Sequence, residues 1–421
     1  MIRWLTIGLC LSFVLSATPS AQAEGGERRT EIHLITMGPG LPLFTRAGHL
    51  SLMVATLEGD NPVATRVYNY GDTNWQDPWL VANFFRGKLD FFLSVSGTLK
   101  ETVQLYGRGQ GRAIHRQKIN FSDAQAEQVA KKLALEARPE NRSYRYHHIE
   151  QICTTRARDL IDETTGGAVR AQLEKQMSDK TVYDDVAWAF SGHPYAVVAA
   201  DLFFGRAHHR ERDLFSSLYE PGRMSRALAT VQVPDPRGAN NKTVPLLGPR
   251  HPLAERVGPP LITAPSKAST VFALALALLL FALGFDARRR LQESTRYLGA
   301  FVGVGGALFG LIGVLIVLLG LLSGVPEFGA NEFVMVFLAT DLVLVPPARR
   351  WWRDKGAMPS WMMGYAYGRL ALVALATLLA LSGVFVQRPI AYPLLSLGFS
   401  VGLLILLRSA SSSSSAEPTA G

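Results

Sequence analysis

A cysteine and a histidine set far apart in this chain have the local contexts that nucleophilic attack on a carbonyl requires. The cysteine opens a predicted helix in Gln151-Ile152-Cys153-Thr154-Thr155-Arg156, and the histidine opens an apolar predicted strand in Ala47-Gly48-His49-Leu50-Ser51-Leu52. A thiol attacks as the thiolate, and a helix N-terminus supplies the positive end of the macrodipole together with unpaired backbone N–H groups. Those groups also suit the oxyanion of a tetrahedral intermediate. A free thiol has a pKa of roughly 8.5, which a helix terminus and an imidazolium lower, so His49 is the expected partner of Cys153. A third polar group would fix the imidazole tautomer. Asn69, in Val67-Tyr68-Asn69-Tyr70-Gly71 on the next predicted strand, is the candidate. Plainer readings stay open for each: Cys153 as a small packed hydrophobe, His49 as a satisfied core histidine, Asn69 as a shaper of the turn at Gly71, and His147 or His148 as nearer partners for the thiol.

The elements that must position these groups come from hydrophobic periodicity. Residues 31–37, 48–56, 66–69 and 91–95 read as strands, Ser122 as the N-cap of a helix running to about 137, and residues 153–163 as a second helix stopped by Gly166-Gly167. The soluble part, residues 24–230, is therefore α+β. Before it, residues 1–23 form an export leader: Arg3, an apolar run over 5–15, and the cleavage site Ala21-Gln22-Ala23. Cys10 lies inside the leader, so cleavage leaves Cys153 as the sole cysteine and no internal disulfide is possible. After the domain, Pro and Gly recur over residues 231–267, the composition of an extended linker.

The 48% hydrophobic content is concentrated after Lys267, in apolar stretches at 268–285, 297–322, 332–345, 365–386 and 390–407. A membrane span needs about 20 residues, so a membrane domain of about five helices is expected over 268–408, its third member being short. With the soluble domain outside, Arg288, Arg289, Arg290 and Arg296 fall in one inside loop and Arg349, Arg350, Arg353 and Lys355 in the next, in agreement with the positive-inside rule. That topology accounts for the net charge of +9 better than nucleic acid does. Tyr365, Tyr367, Trp351, Trp352 and Trp361 cluster at the expected interface. Arg369 is expected to snorkel, Asp341 to face water or a re-entrant turn, and residues 409–421 to form a disordered tail.

No cofactor and no metal is expected. The doublets His147-His148 and His208-His209 lack a second cysteine, and neighbouring histidines on a strand point to opposite faces, so neither doublet alone makes a chelate.

Ile35-Thr36-Met37-Gly38-Pro39-Gly40, Ala47-Gly48-His49, Val67-Tyr68-Asn69-Tyr70-Gly71, Phe84-Phe85-Arg86-Gly87-Lys88-Leu89, Pro139-Glu140-Asn141-Arg142 and Cys153-Thr154-Thr155-Arg156-Ala157-Arg158-Asp159 follow one another in an order that resembles the Lnb-type lipoprotein N-acyltransferases. That family's soluble part is similar to permuted NlpC-like, papain-fold proteins. The resemblance implies a permuted papain-like domain followed by an all-α transmembrane bundle in the inner membrane. It also implies His49 and Cys153 as the reacting pair, a phospholipid as acyl donor and a diacylated apolipoprotein as acceptor. Gln151-Ile152 departs from the Asn expected just before the cysteine. Two other readings are a cysteine amidase or peptidase acting on cell-wall peptides, and a non-catalytic envelope receptor or transport accessory.

Overall fold

The computed structural model describes residues 28–236, 238 and 242–414; the leader with Cys10, and the chain beyond residue 414, lie outside them. An antiparallel sheet organises the N-terminal part. Its strands are β1 (Arg28–Met37), β2 (His49–Glu58), β3 (Asn61–Asp72), β4 (Asp90–Ser96), β5 (Ile114–Lys118), β6 (Ser143–Arg145) and, after a separate hairpin of β7 (Gln232–Pro234) with β8 (Thr243–Pro245), β9 (His251–Ala254). The order across the sheet is β6-β4-β3-β2-β1-β5-β9. β1 and β2 pair from Arg28 opposite Glu58 to Met37 opposite His49, which places His49 at the end of the hairpin away from its turn.

Alternation along these strands fills two cores. Ile32, Leu34, Leu50, Leu52, Tyr68 and Tyr70 face the helices Asp123–Glu136 and Cys153–Thr164, whose Val129, Leu133, Ala157, Leu160 and Ile161 pack onto them. Ile35, Met37, Met53, Ala55, Val67 and Ile114 form the other face under Leu99, Val103 and Tyr106. Covered on both faces, the central strands read as apolar runs. Ser122 caps the Asp123–Glu136 helix as expected, in a capping box with Gln125.

Residues 231–267 depart from the expected extended linker. β7 and β8 pair with each other, and β9 adds to the sheet edge beside β5, Ile114 standing opposite Ala254. Pro252 within β9 suits an edge strand, which has no outer neighbour needing its missing N–H.

Among the described residues, four helices are long and apolar enough to cross a membrane: Ala268–Arg290, Arg296–Leu322, Trp361–Leu381 and Ala391–Ser412, the last continuing helically to Ser414, into the segment expected to be disordered. The short third stretch is a pair, Pro326–Met335 and Ala339–Trp351, bent by 52°, which makes five spans only if the pair is counted as one. Glycines let this pair lie against the backbone of Arg296–Leu322: a Cβ on Gly310 would stand 2.7 Å from the Leu342 nitrogen, and one on Gly299 2.6 Å from the Ala348 oxygen.

Arg369 does not snorkel. It is buried with Asp341, which accepts from its Nε at 2.8 Å and its Nη2 at 2.9 Å, and its guanidinium lies beside the stacked rings of Phe309 and Phe399, 5.1 and 4.6 Å from their centroids. Ser396 and Ser400 accept its remaining N–H groups, and the Tyr365 hydroxyl donates to Asp341 at 2.7 Å. Paired carboxylate and guanidinium groups of this kind are how a bundle tolerates charge. Trp351 is also turned inward rather than placed at the interface, buried against the bundle.

The two parts touch directly. Ser323 Oγ donates to the Phe85 carbonyl, and Phe84 and Phe85 pack their rings on Phe328 in the loop after Arg296–Leu322. Gly87, at φ +62°, meets Gly324 backbone to backbone, a Cβ on it standing 2.7 Å from the Gly324 carbonyl carbon.

Candidate active site

Cys153 begins its helix because the preceding loop closes on itself. His147 and Gln151 exchange two backbone hydrogen bonds, at 3.3 and 3.0 Å, and Ile152 then enters the helix in an extended conformation. Thr155 Oγ1 accepts from the Ile152 N–H at 3.0 Å and donates to the Glu150 carbonyl at 3.1 Å. Ile152 carries no side-chain acceptor, so it cannot cap the first N–H groups of the helix, which start at Cys153 itself. The apolar face beyond the cysteine pins the helix to the sheet, half-burying the thiol at the sheet's end.

There the thiol meets His49. Burial pushes Cys153 up; the charge of His49 and its hydrogen bond pull it down, with further hydrogen bonds from the Thr154 hydroxyl and the Leu50 N–H, and the balance holds the thiol at about 7. Thr154 Oγ1 stands 3.6 Å from the sulfur. Two glycines make the approach possible. Gly71, at φ +103°, would with a Cβ come 3.7 Å from Cys153 Cβ and 3.8 Å from His49 Cε1, ordinary contact distances, so it is the left-handed backbone beside the pair that calls for glycine. Gly48, at φ +88°, brings the chain into β2 in a conformation open to glycine.

Asn69 stands apart from this pair. Its Oδ1 accepts from the Ser51 hydroxyl and its Nδ2 donates to Ser96 Oγ at 3.1 Å, and it is 4% exposed. These bonds tie β2, β3 and β4 together. The structure thus brings together two of the three expected residues and holds the third in a separate buried ladder. His147 and His148, the nearer alternatives in sequence, turn away toward the membrane-side loop, His147 Nε2 lying 3.2 Å from Glu327 Oε2.

Other groups around the sulfur were invisible to sequence reading. Tyr106 stacks on His49 at 5.7 Å, and the Arg112 guanidinium lies over Tyr106 at 5.4 Å. Arg112 is 1% exposed, donates to the carbonyls of Gly38 and Met37 at 2.7 and 3.3 Å, and is lowered to about 10 by burial, against the opposing pull of Tyr106 and Cys153. Tyr144 and Tyr146 are both raised, first by burial and then by the sulfur's charge. From Tyr146 an aromatic succession leads away from the thiol: Phe91 stacks on it at 4.3 Å, and Phe84 links it, at 6.3 Å, to Phe328 of the membrane-side loop at 6.3 Å. No local signal marks Tyr106 or Arg112, because their relation to His49 exists only after β5 and the segment before it have docked.

The arrangement sets a thiol drawn down to about 7 beside an imidazole and uncapped helix N–H groups, the parts that thiolate attack on a carbonyl uses. Residues 28–187 match the family model of the Lnb N-terminal periplasmic domain. No curated protein and no solved structure matches the chain.

Proposed function

We propose, for a membrane protein whose N-terminal domain is of the Lnb periplasmic family, that the chain is an inner-membrane cysteine acyltransferase moving a fatty acyl chain from phospholipid to an amine. The Cys153–His49 pairing carries this reading. The Cys153 thiolate attacks the ester carbonyl of the lipid, a C–S bond forms, and the ester C–O bond breaks as the imidazolium of His49 protonates the departing lysophospholipid oxygen. An amine then attacks the thioester. Its proton passes to His49, the C–S bond breaks, and the thiolate–imidazolium pair is restored beside an amide. The acceptor that fits this sequence is the N-terminal amine of a diacylated apolipoprotein.

Two features favour a lipid over a water-soluble peptide. Four helices apolar enough to cross a membrane adjoin the domain, and Phe84 joins Tyr146, near the thiol, to Phe328 of the membrane-side loop. The deciding experiment incubates the purified chain with phospholipid carrying a labelled acyl chain. A fatty acyl adduct seen by mass spectrometry, absent in Cys153→Ala and chased by an amine acceptor, supports the proposal. Absence of the adduct, with cleavage of cell-wall peptides instead, overturns it in favour of an amidase.

A further inference from the structure

Each histidine doublet alone offers no chelate, but folding sets one member of the second against the first. His147 and His148 lie in the loop before the Cys153–Thr164 helix, His208 in the turn Arg206–His209, and Glu327 in the turn Pro326–Phe328 that follows the second long apolar helix. The Gly205 N–H donates to the Glu327 carbonyl at 2.8 Å, which holds the last two turns side by side. His148 Nε2 and His208 Nε2 face each other at 3.1 Å, and His147 Nε2 stands 3.2 Å from Glu327 Oε2. One ligand atom from each of His147, His148 and Glu327 lies within 4.8 Å of the others.

Much of this nitrogen and oxygen is buried without a partner. His208 is 1% and Glu327 6% exposed, and His148 Nδ1, His208 Nδ1 and Glu327 Oε2 have no hydrogen-bond partner. Leaving such groups unsatisfied is unfavourable by about 1–3 kcal/mol each, and a cation taking one ligand atom from each of His147, His148 and Glu327 would satisfy the buried Glu327 oxygen. For bonds of about 2.0–2.1 Å, neighbouring ligands of a tetrahedral zinc ion stand about 3.3 Å apart, close to the His147–Glu327 separation. Two imidazoles with one carboxylate and no thiolate suit zinc or a similar first-row divalent ion.

We propose that His147, His148 and Glu327 form a divalent transition-metal site of the zinc class that fastens the loop leading to Cys153 onto the membrane-side turn, with His208 held against His148. The site is independent of the acyl-transfer reading.

The test uses the full, untagged chain in detergent, stripped with a chelator and titrated with Co2+ by absorption spectroscopy and with Zn2+ by elemental analysis after gel filtration. One equivalent bound, with the intense visible bands of tetrahedral Co2+, is expected. Glu327→Gln, which preserves size, and His147→Ala should each weaken binding roughly tenfold or more, while Cys153→Ala leaves it unchanged. Failure of the parent chain to bind either ion overturns the site. So does binding that survives unaltered in Glu327→Gln, or a sulfur-to-cobalt charge-transfer band that vanishes in Cys153→Ala. Should His147→Ala not fold, Glu327→Gln decides the matter.

Discussion

The imidazole of His49, at the start of a strand, and the thiol of Cys153, at the start of a helix, lie together beside Gly71, and the imidazole draws the thiol's ionisation down. The pair is held by backbone geometry at both ends. Its chemistry is therefore separable from the packing around it by single substitutions.

Removing either member should stop turnover. Cys153→Ala leaves no nucleophile and His49→Ala no proton carrier; loss of general acid–base catalysis alone corresponds to about 10²–10⁴-fold in rate. Acyl transfer from labelled phospholipid in detergent micelles measures both, and wild-type rates in either variant would refute the pairing as the reactive centre.

The thiol's ionisation can be read without substrate. Alkylation by iodoacetamide follows the thiolate, so its rate should climb as pH rises through about 7. His49→Ala removes the two strongest lowering influences and leaves burial's upward push, which moves the midpoint to higher pH. An unmoved midpoint would mean that His49 does not act on the sulfur.

Gly71→Ala puts a methyl group beside the pair and forces φ +103° on a residue with a Cβ. We expect a destabilisation of about 1 kcal/mol or more, and a fall in turnover larger than the fall in lipid binding. Thermal unfolding and separate determination of kcat and KM distinguish the two effects.

Asn69→Ala should behave in the opposite way. It strips Ser51 and Ser96 of a buried partner, which weakens the fold by about 1–3 kcal/mol, yet the alkylation midpoint stays where it is in the parent chain. A shifted midpoint would restore Asn69 to the role of orienting His49.

In the membrane part, Arg369→Met alone strands the Asp341 carboxylate in an apolar bundle, at a cost of about 3–5 kcal/mol. Combining it with Asp341→Leu should recover most of that loss, since replacing a whole buried pair by apolar groups is often neutral. Unfolding in detergent, compared across the single and double variants, reports the coupling.

What could be read ahead of the structure was what local pattern encodes. Cys153 opening a helix, His49 opening a strand, Ser122 capping the Asp123–Glu136 helix and four of the apolar spans all announce themselves within a few residues. β5 and β9 did not, because Ile114-His115-Arg116-Gln117-Lys118 has one aliphatic residue and His251-Pro252-Leu253-Ala254 contains a proline; both are strands by pairing rather than by pattern. Arg369 looked like an interfacial cation for the same reason, since its partner Asp341 comes from the bent pair and only folding joins them. Asn69 illustrates the converse: its position beside the histidine's strand was right, but the hydroxyls of Ser51 and Ser96, supplied by neighbouring strands, claim its amide.

Where Gly87 meets Gly324, no side chain separates the two main chains. A hinge at that seam would have to open main chain against main chain, so the spacing between the sulfur and the apolar helices is set by the fold. Under the proposed acyl transfer, the lipid substrate and not the sulfur has to make the journey.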